Sequence, residues 1–316
     1  MKETLSVIGA GLMGHSIALN IAWSGQGVIL LGMNEADLAR AHEGIQQKLQ
    51  MLAEQQLIQQ SDITTIQDRI RYTISLENAL ADSTFVIEAA PEQLTLKQSL
   101  YEQMELLCSE QTILASNTSG LSPTSIAQNM KHPERMVVVH FWNPAHLIPL
   151  VEIVAGEHTN RETIDRSMAL MVKIDKKPIE VKKEIPGFVG NRLQYALLRE
   201  AQYLLEQGVA SKEDIDAAVT HSFGRRLPIT GPLMSADLGG LDVFQAISSY
   251  LFPNLAVDKA PLPNMQSLVE QGHYGAKTGQ GYYEWTDTFK QQMNEQREEL
   301  LIAMLKHDQA LSAELK

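Results

Sequence analysis

The chain has 316 residues, 44% hydrophobic and 20% charged, the make-up of a globular protein long enough for two domains. A formal net charge of -12 with no Lys/Arg cluster argues against a nucleic-acid partner. No apolar run approaches the roughly 18 residues that a bilayer-crossing helix needs, so no membrane partner is expected. The single cysteine, Cys108, excludes an internal disulfide. "MKETLSVIGAG" enters a strand-like run at once, leaving no room for a leader peptide, and a cytoplasmic location is expected.

In chain order, "LSVIG" reads as a strand, "LMGHSIALNIAWSG" as a helix with Gly25 near its end, and "GVILL" as a second strand. A helix starts near Asn34-Glu35, and residues 42–70 read as a helical excursion, with Ile45, Leu49, Leu52 and Leu57 at helical spacing. "STFVIEA", "QTILAS" and "ERMVVVH" are further short strands, with the helix "LTLKQSLYEQMELLC" between the first two. Strands alternating with helices predict an α/β fold, a doubly wound and mainly parallel sheet of Rossmann type. Past Ile185-Pro186-Gly187 the periodicity is helical, as in "FVGNRLQYALLREAQYLLEQG", "SKEDIDAAV", "GGLDVFQAISSYLF" and an amphipathic stretch from about 288. The expected domains are 1–184, which binds the nucleotide, and an all-helical 185–316.

Gly9-Ala-Gly11-Leu-Met-Gly14 follows the first strand and opens the first helix. Gly9 permits the tight turn, Gly11 lets the backbone approach a pyrophosphate, and Gly14 allows close helix–strand packing, with Met13 inside the same turn. The phosphates then meet the positive end of the helix dipole. The ribose-binding acid usual at the end of the second strand is replaced by Gly32. That leaves NADP open. No Arg follows to hold a 2′-phosphate, however, and Asn34 can bond a ribose hydroxyl, so the expected cofactor is NAD.

Glu152 stands in Ile148-Pro-Leu-Val-Glu-Ile-Val154, where every other side chain is apolar. A lone carboxylate there needs a partner, because burying it unpaired costs several kcal/mol or more. His140 ends "RMVVVH" twelve residues earlier, and neighbouring strands joined through Asn143-Pro144 would bring the two together. Such a dyad is a general base for hydride transfer; a core histidine satisfied by a structural glutamate is the other reading. His15, His42, His132, His158, His221, His273 and His307 show no metal-ligand spacing, and no metal site is expected.

"SNTSGLSPTSIA", "HFWNPAHLIPLVEIV", "PGFVGNRL" and "KTGQGYYEW" together resemble the 3-hydroxyacyl-CoA dehydrogenase family. The resemblance implies a homodimeric NAD-dependent oxidoreductase of fatty acid metabolism that oxidises the 3-hydroxyl of an L-3-hydroxyacyl thioester. It makes His140 the general base and Glu152 its orienting partner, with Ser119 and Asn191 on the substrate oxygen. It implies cofactor contacts from Glu92, Lys97, Asn117, Ser119 and Asn143, and from Lys277 in the helical part. Lys97 as a solvated helix residue, Asn143 as a turn former and Asn191 as a helix cap are the plainer readings.

Two departures from the family pattern bear on the substrate. A Ser and a Lys hold the CoA nucleotide in CoA-specific members, and those positions become Lys48 and Gln55 here. Arg226 in turn matches an arginine found in the related gulonate and carnitine dehydrogenases. There it suits a small substrate's carboxylate, although it could equally bridge to Asp237. A dehydrogenase of a small free 3-hydroxy acid is therefore the alternative, and a non-catalytic crystallin-like protein a remote one.

Overall fold

The computed structural model describes residues 3–314. Eight strands form a single sheet: β1 (Leu5–Ile8), β2 (Val28–Leu31), β3 (Ile70–Thr73), β4 (Phe85–Glu88), β5 (Ile113–Ser116), β6 (Met136–Phe141), β7 (Leu150–Ala155) and β8 (Lys177–Val181). Their order is β3-β2-β1-β4-β5-β6-β7-β8. All neighbours run parallel except β6 and β7, which are antiparallel. β1, β4 and β5 are buried at every residue, as an inner strand covered by helices on both faces requires. One core cluster lies around the helices Leu12–Trp23 and Glu35–Glu54, and another around Leu94–Leu107.

The fold class is as expected, a Rossmann-type sheet and a helical C-terminal part. The sequence reading lacked β3 and β8. Both are edge strands whose alternating exposure dilutes the apolar signal, "IRYT" and "KPIEV". Within the excursion, Glu35–Glu54 is one helix and Asp62–Gln67 another, and β3 follows them.

By internal packing the chain forms two compact units, residues 1–191 with 295–316, and residues 192–294. The expected break at 184/185 takes no account of this return. In the first unit, Ile302 of the last helix (Asp287–Glu314) is only 2% exposed and joins the core with Leu301 and Leu305. The second unit contains the helices Lys212–Thr220, Pro232–Gly239, Leu241–Leu251 and Pro263–Glu270. Ser211 caps the first of these, its hydroxyl accepting from the Asp214 N–H and donating to the Asp214 carboxylate.

Candidate active site

The glycine-rich turn has the geometry its sequence implies. Gly9 has φ +106°, and a Cβ there would sit 2.8 Å from the Ala89 carbonyl oxygen. A Cβ on Gly14 would lie 1.7 Å from the Gly9 oxygen, so helix and strand meet at a distance only glycine allows. Around Gly11 nothing lies within 4 Å of a would-be Cβ. Gly11 is exposed and precedes a 12-residue helix whose first turn has no side-chain cap. This open cradle at the positive end of a helix fits a dinucleotide pyrophosphate. Met13 packs against the core, half-buried. Beyond the end of β2, Asn34 Oδ1 accepts from the Asp37 N–H and caps the next helix, and its amide N–H groups make no hydrogen bond among the described residues. Arg40 is paired with Asp37 at 3.0 Å.

A buried ionic chain supports the loop after β5. Glu88, fully buried at the end of β4, accepts from Lys97 Nζ at 2.6 Å, the Ala90 N–H at 2.5 Å and the Ser116 hydroxyl at 2.6 Å. Lys97 is 1% exposed, so it is no solvated helix residue, and its ammonium also lies 3.5 Å from Glu92. Glu92 in turn accepts from the Thr118 hydroxyl at 2.5 Å and the Ser119 N–H at 3.0 Å. Lys97 thus reaches the loop through acids. Glu88, Thr118 and Ser116 were missed in the sequence, although Glu88 in "STFVIEA" is, like Glu152, a lone acid in an apolar run.

His140 and Glu152 are direct cross-strand partners in the β6–β7 ladder. His140 Nδ1 donates to Glu152 Oε2 at 2.9 Å, which leaves Nε2 as the ring's basic atom. Trp142 Nε1 donates to the same oxygen at 3.3 Å, while the Val189 and Gly190 N–H groups donate to Oε1 at 2.9 and 3.0 Å. Burial pushes the Glu152 carboxyl up, but these bonds more than offset it and hold the group below the usual carboxylate range. The ring lies between Trp142 and Phe188, with centroids 5.5 and 5.7 Å away. Phe188 (φ +51°) follows Gly187 (φ +78°), a left-handed pair that turns the chain so that two successive N–H groups meet one carboxylate oxygen.

Asn117 Oδ1 accepts from the Phe141 N–H at 2.8 Å, tying the end of β5 to the end of β6. Asn191, in the first turn of the helix Gly190–Glu206, donates its side-chain N–H to the Ser119 carbonyl at 3.0 Å and so ties that helix to the loop after β5. The Ser119 hydroxyl and the exposed Asn143 side chain have no partner among the described residues. The Asn143-Pro144 bond is cis. Ser119, His140, Glu152 and Asn191 are therefore gathered in the first unit. Lys277 and Arg226 belong to the second unit, each exposed, Lys277 in the turn between Gly275 and Gln280. Arg226 pairs with no acid among the described residues, Asp237 included. No group of His, Cys, Asp and Glu among the described residues has metal-binding geometry.

The family model described as "3-hydroxyacyl-CoA dehydrogenase, NAD binding domain" matches residues 4–185, and the one for its C-terminal domain matches 187–285. The chain belongs to the 3-hydroxyacyl-CoA dehydrogenase family. It is an NAD-dependent oxidoreductase of that family. Among its relatives is 5-formyl-3-hydroxy-2-methylpyridine 4-carboxylate 5-dehydrogenase of Mesorhizobium japonicum, 32% identical over 96% of this chain and 97% of that protein. A solved structure of an enzyme of that description, called there an NAD+ dependent dismutase, covers 97% of this chain and 98% of its own at TM-score 0.90. The 3-hydroxybutyryl-CoA dehydrogenase of Clostridioides difficile is 34% identical over 89% of this chain and 99% of that protein. Neither family model reaches the helix Asp287–Glu314.

Proposed function

We propose that the protein oxidises a hydroxyl group on a small, free carboxylate-bearing substrate, with His140 as general base and Glu152 as its orienting partner. The carrying observation is the state of Lys48, one of the two positions where CoA-specific members hold the CoA nucleotide. Its ammonium is half-buried and turned inward, 2.9 Å from His15 Nε2 and 3.3 Å from the Gly44 carbonyl oxygen. The last helix packs into the core cluster that includes Ile45, Leu49 and Leu52 of the helix Glu35–Glu54, which carries Lys48, and Glu298 acts electrostatically on Lys48. With Gln55 at the position of the family's lysine and Lys48 turned inward, a polyphosphate nucleotide would find no cation there, whereas the guanidinium of Arg226 suits one carboxylate. The full-length likeness to a pyridine-carboxylate dehydrogenase supports the same reading.

In this mechanism Glu152 accepts the Nδ1 proton of His140 and keeps Nε2 free to take the substrate's hydroxyl proton. Ser119 and Asn191 orient the substrate oxygen, Glu92 holds the loop that carries Ser119, and Asn117 ties the start of that loop to the end of β6. Gly9, Gly11, Met13, Gly14 and Asn34 would hold the pyrophosphate and adenosine half of NAD, with Lys97 and Asn143 toward its other half. When bound, NAD supplies the hydride acceptor. The imidazole of His140 is buried, with Trp142 and Phe188 against it, which limits water around it.

The second reading, an L-3-hydroxyacyl-CoA substrate, rests on the family and on relatives that act on such thioesters by name. Initial rates with NAD on free 3-hydroxybutyrate, gulonate and carnitine, set against 3-hydroxybutyryl-CoA, decide between the two. Turnover confined to the thioester and unaltered in Arg226→Ala would overturn the free-acid reading.

The protein is further proposed to work as a homodimer through its second unit. The helix Leu241–Leu251 has no buried residue, and Leu241 and Tyr250 are 61% and 65% exposed. Leu233 and Leu238 of the preceding helix are 83% and 76% exposed. So large an apolar surface is unusual for a monomer and suits an obligate interface. Light scattering should give twice the chain mass; a monomer at micromolar concentration would refute it.

A further inference from the structure

A second polar site lies in the first unit, away from the dyad. It is a cavity of about 70 Å3 lined by residues of the first helix (Asn20, Trp23), the β6–β7 loop (His146), the turn before β8 (Asp175, Lys176) and the last helix (Leu305).

His146 is 2% exposed, and its Nε2 has no hydrogen-bond partner among the described residues. Its Nδ1 lies 2.9 Å from the Ser16 hydroxyl. That hydroxyl has no other acceptor among the described residues, so it donates to Nδ1 and the ring proton sits on Nε2. A buried ring N–H without an acceptor is rare and calls for an explanation.

Lys176, 5% exposed, supplies the second donor. Its ammonium donates to the carbonyl oxygens of Ala145 at 2.6 Å and Ile148 at 3.1 Å, which leaves one of three N–H groups unused. No carboxylate forms an ion pair with it among the described residues; the neighbouring Asp175 is exposed. Lys176 and His146, the residues that carry this ammonium and this N–H, both line the one cavity, as does the exposed Asp175. What satisfies both is an anion.

We propose that this cavity binds a small carboxylate of formate or acetate size, held by Lys176 Nζ and His146 Nε2–H. Size follows from the volume. A cavity of about 150 Å3 takes benzene, so roughly half that admits three or four heavy atoms. The apolar wall of Trp23, Ile174 and Leu305 suits a methyl group better than a second charge. Burial pushes the pKa of Lys176 down to about 7, only partly opposed by the charge of the neighbouring Asp175.

The test is calorimetric titration of sodium formate, acetate, chloride and benzoate into the NAD-loaded enzyme at constant ionic strength. One saturable site per chain is expected for formate and acetate, and none for benzoate. Lys176→Met and His146→Phe should each weaken acetate binding at least about tenfold while NAD binding stays intact. If a variant fails to fold, the size series on the unaltered protein still decides. Absence of saturable binding in that protein, equal binding of chloride, or undiminished binding in both variants overturns the proposal.

Discussion

His140 and Glu152 stand opposite each other across the antiparallel β6–β7 pair, 2.9 Å apart from Nδ1 to Oε2. If the ring is the base, His140→Gln lowers kcat by about 100-fold or more and leaves NAD affinity unchanged. Glu152→Gln is also slow, because an amide nitrogen faces donors where an oxygen accepted before. Initial rates and a fluorescence titration of the cofactor measure both. Near-normal turnover in His140→Gln would remove the assignment.

Lys97 is expected to matter for stability as much as for catalysis. Removing one member of a buried ion pair leaves the other charge uncompensated, at a cost of about 3–5 kcal/mol. Lys97→Met should therefore lower the melting temperature of the cofactor-free protein, and Glu88→Gln in the same chain should recover part of the loss. An unchanged melting temperature would mean that the lysine serves the cofactor alone.

These two predictions show how far the sequence could be read. The glycine-rich turn and the His140–Glu152 partnership were legible because each rests on local chemistry, a backbone conformation in one case and a stranded charge in the other. Glu88 carries the same mark in "FVIE" and could have been found by the same argument. The Val189 and Gly190 N–H groups on Glu152 could not, since backbone donors leave no side-chain trace 37 and 38 residues away. Nor could the inward turn of Lys48, whose ammonium lies against His15 Nε2 and feels the charge of Glu298 more than two hundred residues further along.

Acid should destabilise the first unit earlier than carboxylate chemistry alone requires. Burial pushes His146 down to about 3 and His15 down to about 4, helped in both by the charge of Lys48. Between these values and the ordinary 6.5 the unfolded chain binds more protons than the folded one, so stability falls as pH falls below 6.5. Each ring contributes a slope of up to about 1.4 kcal/mol per pH unit. Glu152, held below its ordinary 4.5, adds a loss of the same sign only as pH drops past that value. Urea midpoints from pH 7 to 5 should decline, and His146→Phe should flatten the decline. A pH-independent midpoint over that range would contradict the burial of both rings.

Gly190→Ala tests the backbone side of the dyad. A Cβ there would lie 2.3 Å from Trp142 Cζ2, so the indole or the Val189–Gly190 segment must move. Either shift breaks donors to Glu152, and kcat should fall while the chain still folds and binds NAD. Tryptophan fluorescence reports the displaced ring. Full activity together with unchanged fluorescence would show that this packing is dispensable.

The last helix offers a separate test of the first unit. Ile302 is 2% exposed and lies in the cluster formed by Ile45, Leu49 and Leu52 of the helix Glu35–Glu54 and Ile17 and Ile21 of the first helix. Truncating a side chain so enclosed costs about 2–5 kcal/mol, the lost transfer energy plus the cavity left behind. Ile302→Ala should therefore lower the urea midpoint, whereas Leu311→Ala, at a residue 45% exposed on the same helix, should leave it nearly unchanged. Equal and small effects would mean that the helix adheres weakly. Glu298 would then not be held near Lys48, and a CoA nucleotide could find its cation in that lysine.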